Sequence, residues 1–176
     1  TPKIDRWVIR NTLQTLAKDW DMVEASGAVF CLNLSGQSLT NAGFLAFVAD
    51  ELDRSAVRGD RVCFEITETA AISNLARASQ FMHQLKLDGC KFSLDDFGSG
   101  LSSFNYLKYL PVDFLKIDGS FVKELATSPS DYAVVMSICE IGQKARCPST
   151  ATSKPPLFRP DTFPSTATPV STASTS

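Results

Sequence analysis

The sequence predicts an α/β chain in which helices alternate with parallel strands, in the manner of a partial TIM-type (β/α) barrel. Three observations carry this expectation. Four short apolar runs recur at intervals of roughly 25 to 30 residues. Amphipathic stretches of helical period lie between them. Each run also keeps its polar group for its end, with Asn33, Glu65 and Glu68, Asp95 and Asp96, and Lys116 and Asp118 in those places. Polar groups collected where parallel strands finish are how such a barrel builds an active site.

The elements follow in order. Asp5 to about Ala25 places Trp7, Val8, Leu13, Leu16, Ala17 and Trp20 near a 3.6-residue period, which predicts a helix. The first strand is Val29–Ser35. A helix from Asn41 to Leu52 repeats the pattern through Phe44, Leu45, Phe47, Val48 and Leu52, with Asn41 as its N-cap. The second strand, Arg61–Thr67, leads to a helix from about Ala70 to Leu87, which Gly89 is placed to end in a left-handed turn. The third and fourth strands are Cys90–Asp95 and Asp113–Asp118, and a last helix spans Asp131–Lys144. The expected order is α-β-α-β-α-β-α-β-α, with right-handed crossovers between parallel neighbours.

Side-chain alternation adds a constraint. If Asn33 faces the inside then so does Cys31; Glu65 takes Cys63, Asp95 takes Ser93 and Lys116 takes Phe114. Asp96 and Glu68 are out of phase with their strands and are assigned to the loops that follow.

Composition bounds the function. A net charge of -2 with 20% charged residues offers no basic surface for a nucleic-acid polymer. No apolar stretch reaches membrane-span length and no signal peptide is visible, so a cytoplasmic location is expected. The five cysteines include three in predicted strands and no CxxC pair, which predicts reduced, buried thiols. His83 is the only histidine and lies mid-helix, so Ser-His and Cys-His nucleophile schemes have no base. Residues 145–176 are mostly Ser, Thr, Pro and Ala, with six of the nine prolines, the composition of a disordered low-complexity tail. The change falls where an α/β repeat should deliver its next strand, so a truncation or shifted reading frame stands beside a natural linker.

Asn33-Leu-Ser35, Glu65-Ile-Thr-Glu68, Asp95-Asp-Phe-Gly-Ser-Gly100 with Ser102-Ser-Phe104, and Lys116-Ile-Asp118 resemble, in order and spacing, the EAL domain, the cyclic-di-GMP-specific phosphodiesterase of bacterial signalling. Asp5-Arg-Trp-Val-Ile-Arg10 and Leu107 to Lys116, with its Leu-Pro-Val-Asp turn, are similar to the family as well, so the likeness covers about Asp5 to Lys144. The resemblance implies hydrolysis of cyclic-di-GMP to the linear dinucleotide at a two-metal site of Mg2+ or Mn2+. Asn33, Glu65 and Asp95 would hold the first ion, with Asp95 reaching the second and Asp96 serving it. Lys116 would contact the attacking water, and Glu68 would tether the loop that begins Asp96-Phe97-Gly98. Taken singly, Glu65 and Glu68 also read as helix-capping acids, Lys116 with Asp118 as a strand-end ion pair, and Asn33 as a turn residue.

The family's Glu-Ala-Leu strand, which supplies a metal ligand and an arginine for substrate phosphate, has no counterpart in residues 1–144, nor do a later strand-end glutamate and a glutamine. The expectation is therefore a partial domain at 1–144 without its first and last strands, a truncated phosphodiesterase whose isolated chain is inactive or nearly so. A non-catalytic module that binds cyclic-di-GMP or a protein is the alternative. The resemblance further implies pairing of two copies around the Asp96–Phe104 loop and an upstream sensory or cyclase (GGDEF) domain.

Overall fold

The computed structural model describes residues 1–99 and 104–145. Of the tail expected to be disordered over 145–176, residues 146–176 lie outside them, as do Gly100 and Ser102-Ser103 of the third motif, while Ala145 ends the last helix. The described elements are α1 (Pro2–Lys18), α2 (Trp20–Ser26), β1 (Phe30–Leu34), α3 (Gly36–Thr40), α4 (Phe44–Ser55), β2 (Val62–Thr67), α5 (Glu68–Ser73), α6 (Leu75–Leu87), β3 (Lys91–Phe97), β4 (Phe114–Ile117), α7 (Gly119–Lys123) and α8 (Pro129–Ala145). Two 3-10 segments, Gly59–Arg61 and Phe104–Tyr109, complete the order. All three strand pairings are parallel and the strand order is β1-β2-β3-β4. Sequential parallel order is that of a (β/α) barrel; a doubly wound sheet would reverse direction partway across.

Apolar side chains explain why the helices cover one face of this sheet. Leu32, Leu34, Phe64, Ile66, Phe92 and Leu94 alternate along β1 to β3 and are all buried. Against them pack Ile9, Leu13 and Leu16 of α1, Phe44, Val48 and Leu52 of α4, and Phe81, Met82 and Leu85 of α6. Phe44, Phe64 and Phe92 surround Phe81 with ring centroids 6.0, 6.3 and 6.1 Å away, offset or edge-on. Burial of each such ring contributes roughly 1.5–3 kcal/mol, so this cluster is a principal source of cohesion between helices and sheet. The opposite face is open at β1, where Cys31 and Asn33 are exposed.

Several sequence expectations are corrected. The helix expected from Asp5 to Ala25 is two helices, broken at Asp19, whose carbonyl accepts from the amides of Met22 and Val23. The helix expected from Ala70 to Leu87 likewise breaks at Asn74 (φ -140°, ψ 49°). Neither Asp19 nor Asn74 caps the following helix with its side chain; the breaks lie in the backbone dihedrals, which an apolar period does not register. Asn41 does not cap α4: Gly43, at φ 73°, precedes Phe44, and the Asn41 side chain accepts instead from Arg6 at 3.1 Å. Between β3 and β4 the chain forms a 3-10 turn at Phe104–Tyr109 rather than an α-helix. Gly89 does end α6 with φ 87°; its amide reaches the Lys86 carbonyl and the Cys90 amide reaches Leu85, a Schellman ending.

Cys90 immediately precedes β3 rather than lying within it, and Cys31 is exposed rather than buried. Cys31, Cys63, Cys90 and Cys139 are free thiols, and burial pushes the Cys90 thiol up to about 12. His83 is exposed on α6, with Nδ1 2.8 Å from the Ser79 carbonyl. Among the described residues no helix is long and apolar enough to cross a membrane.

Candidate functional site

One row of paired residues crosses the sheet: Asn33 beside Glu65, Glu65 beside Ser93, and Ser93 beside Phe114. These residues alternate with the helix-facing set, so the strand period that buries Leu32, Phe64 and Phe92 also places them on the other face. Asn33 is exposed on the edge strand, while Glu65 and Ser93 are 8% and 2% exposed. Cys31 and Cys63 form the row behind. Burial, and then the hydrogen bond and charge of Glu65, hold the Cys31 thiol above the ordinary thiol range.

Asp95 and Asp96 occupy a β-bulge. Leu94 pairs with Leu115 and Phe97 with Ile117, so β3 takes three steps where β4 takes two. The extra residue changes the alternation. Without it Asp96 would follow Phe92 and Leu94 onto the helix-covered face; with it Phe97 takes that place, fully buried, and Asp96 is exposed with φ 53°. Asp96 therefore lies inside β3 and not in a loop beyond it, as its phase alone suggested, and Glu68 opens α5 directly after β2.

Lys116 joins the two central carboxylates. Its Nζ lies 3.0 Å from Glu65 Oε2 and 3.1 Å from Asp95 Oδ2. Burial draws the ammonium toward its neutral form, but hydrogen bonds and charge from Glu65 and Asp95 outweigh this, and its pKa stands above that of an ordinary lysine. Lys116 is thus a fixed positive charge at neutral pH rather than a proton acceptor.

Glu68 is 1% exposed and is held apart from that cluster. Its Oε2 accepts from the Gly98 amide at 2.9 Å, and its Oε1 accepts from the Tyr106 hydroxyl. The cap of α5 is Thr67, whose hydroxyl accepts from the Ala70 amide. Asp118, grouped with Lys116 by sequence, caps α7 by accepting from the Ser120 amide at 2.7 Å. The sequence reading did not single out Tyr106 or Ser93's isolation; a tyrosine flanked by Phe104 and Leu107 was the available signal, since a buried Tyr needs a partner for its hydroxyl.

By type, the amide of Asn33 and the carboxylates of Glu65, Asp95 and Asp96 suit a hard divalent cation. Ser93 Oγ, buried without a hydrogen-bond partner, lies in the same row. By position, no three His, Cys, Asp or Glu side chains among the described residues are grouped to share an ion. The cation between Glu65 and Asp95 is the Lys116 ammonium.

Sequential parallel strands with polar side chains gathered at their carboxyl ends define the (β/α)-barrel class of α/β domain. Within it, a model of the EAL domain matches residues 1–153, and the chain belongs to that family. It is 43% identical over 140 residues to the cyclic di-GMP phosphodiesterase PdeB of Shewanella oneidensis, a match spanning 80% of this chain and 16% of that one. The cyclic di-GMP phosphodiesterase PdeA of Borreliella burgdorferi is 37% identical over 142 residues, 80% of this chain and 21% of that one. Among solved structures, the PaMucR phosphodiesterase in complex with c-di-GMP superposes with a TM-score of 0.74 at 32% identity, over 81% of this chain and 57% of that one. The chain thus spans about a fifth of the curated relatives' length and just over half of the solved phosphodiesterase.

Proposed function

We propose that the chain is part of a metal-dependent phosphodiesterase domain that opens cyclic-di-GMP to the linear dinucleotide, acting in a unit completed to the length of its solved relatives. The observation that carries the reading is the Lys116 bridge between Glu65 and Asp95, beside Asn33 and the turned-out Asp96, at the carboxyl ends of parallel strands. Bound Mg2+ or Mn2+ would supply a hydroxide-like nucleophile and neutralise charge on the phosphoryl oxygens. Asn33, Glu65 and Asp95 would hold one ion, and Asp95 with Asp96 the other.

Two further groups of the chain have roles in this reading. Lys116, protonated, orients the attacking water and offsets the repulsion between Glu65 and Asp95. Glu68 does not touch substrate in this scheme; it fixes the backbone that turns Asp96 outward. Pairing of two copies near the Asp96–Phe104 segment, and linkage to a sensory or cyclase module, belong to the same reading.

The test is turnover of cyclic-di-GMP with Mg2+ or Mn2+ by the protein completed to the relatives' length, beside its Glu65→Ala variant. Linear product that disappears in the variant supports the reading. Tight binding measured by calorimetry without turnover would support a non-catalytic binding module instead.

A further inference from the structure

We propose that Tyr106 is a positioning residue which, through Glu68, holds the Asp96–Gly98 turn in place; its bearing on metal binding rests on the role proposed above for Asp96. The Glu68 carboxylate grips two points of the chain at once. One oxygen takes the Gly98 amide, two residues beyond Asp96, and the other takes the Tyr106 hydroxyl. Residues 98 and 106 bound a single segment, so one carboxylate closes both of its ends. Phe97 and Phe104 stack just beside them, with centroids 5.2 Å apart and planes at 21°.

The clamp acts on a strained point. Asp96 has φ 53°, in the left-handed region that Gly, Asn and Asp enter more readily than other residues but that still costs a residue with a Cβ, so the surroundings must hold it there. Gly98 has φ 97°, and a Cβ there would stand 2.9 Å from Ile138 Cδ1 and 3.2 Å from Phe121 Cε2, so only glycine fits this point of the turn between the clamp and the side chains of α7 and α8. On its other side the Gly98 amide is held by Glu68. The Tyr106 hydroxyl occupies the second oxygen and fixes the plane in which the first meets Gly98. Burial, then the hydrogen bond and charge of Glu68, hold the Tyr106 hydroxyl protonated far above the ordinary tyrosine range, so it remains a donor at any working pH.

Tyr106→Phe removes the hydroxyl and keeps the ring; Glu68→Gln is the parallel variant. Amide hydrogen exchange of the chain without any ligand reads the clamp directly. Exchange at Gly98 should quicken about tenfold in each variant, with the double variant no worse than the single ones and the β2 and β3 amides unchanged. In the protein completed to the length of its solved relatives, Mn2+ titration followed by electron paramagnetic resonance then reads Asp96. Its Kd should rise about tenfold in Tyr106→Phe, the lower end of what loss of a ligand's supporting group costs. Unchanged Gly98 exchange, or additive effects of the two variants, would overturn the clamp. Faster Gly98 exchange with an unaltered Mn2+ Kd would overturn its link to Asp96. A completed wild-type protein that binds no Mn2+ would count against the phosphodiesterase reading, while the exchange result still decides the clamp.

Discussion

The ammonium of Lys116, on β4, stands 3.0 Å from Glu65 Oε2, on β2, and reaches it across the intervening strand β3. The lysine is about half exposed and the glutamate side chain is 9% exposed, so the pair sits at the boundary between open face and core. An exposed ion pair contributes little, but a buried carboxylate left without its cation is costly.

Lys116→Met should therefore destabilise the fold by about 1–2 kcal/mol, most of it from the desolvated Glu65 charge. Urea unfolding measures this, and adding Glu65→Gln should restore a large part, because the amide carries no charge to compensate. A double variant less stable than Lys116→Met would contradict the assignment.

Asp5 ties the start of α1 to the end of β1. Its Oδ2 accepts from the Ser35 amide at 2.9 Å and from the Ser35 and Ser38 hydroxyls at 2.6 Å each. Burial pushes this carboxyl up, but the Ser35 and Ser38 hydroxyls and the Ser35 amide outweigh it and hold it below 3.8. A depressed folded pKa stabilises above the unfolded value and ceases to do so as pH falls through the folded one. Wild type should thus be more stable than Asp5→Asn by about 1–2 kcal/mol near neutrality, the gap closing only below pH 3.8. Denaturant curves from pH 7 to pH 2.5 check it; a gap that does not change with pH refutes it.

Gly59 lies where the 3-10 turn before β2 meets the end of α6. A Cβ there would stand 2.0 Å from the Asp88 carbonyl oxygen and 3.0 Å from the Cys90 amide nitrogen, both backbone atoms with little room to move. Gly59→Ala should cost about 3 kcal/mol, seen as a lowered urea midpoint. Gly43→Ala is the comparison, since nothing lies within 4 Å of its Cβ position and only the φ of 73° opposes it.

Asp113 joins the approach to β4 to both α6 and β3. Its carboxylate takes Lys86 Nζ at 2.8 and 2.9 Å and the Phe92 amide at 2.8 Å. Asp113→Ala should destabilise by about 1–2 kcal/mol and speed exchange of the Phe92 amide, while Lys86→Met should do less because it leaves the amide bond in place. Equal effects of the two substitutions would show that the ion pair dominates.

Much of the scaffold was legible because it is local. Alternation along Phe30–Leu34 and Val62–Thr67 identified the strands and the side of each that carries Asn33 and Glu65, and the position of Gly89 identified the end of α6. The helix breaks at Asp19 and Asn74 were not legible because they lie in backbone dihedrals, ψ 34° at Asp19 and φ -140° at Asn74, to which an apolar period is blind. Cys31 was expected to be buried, yet it lies on the edge strand, whose exposure depends on what flanks it.

The sequence by itself determined the α/β order, the strands and the polar groups at their ends, since each follows from residue type and the period of its own segment. Tertiary structure decided the rest of the site. The bulge that turns Asp96 outward exists only in the pairing of β3 with β4. Lys116 finds Glu65 across 51 residues, and Tyr106 finds Glu68 across 38. Contacts over such separations arise when the strands pair and the helices pack, so no local pattern in the chain encodes them.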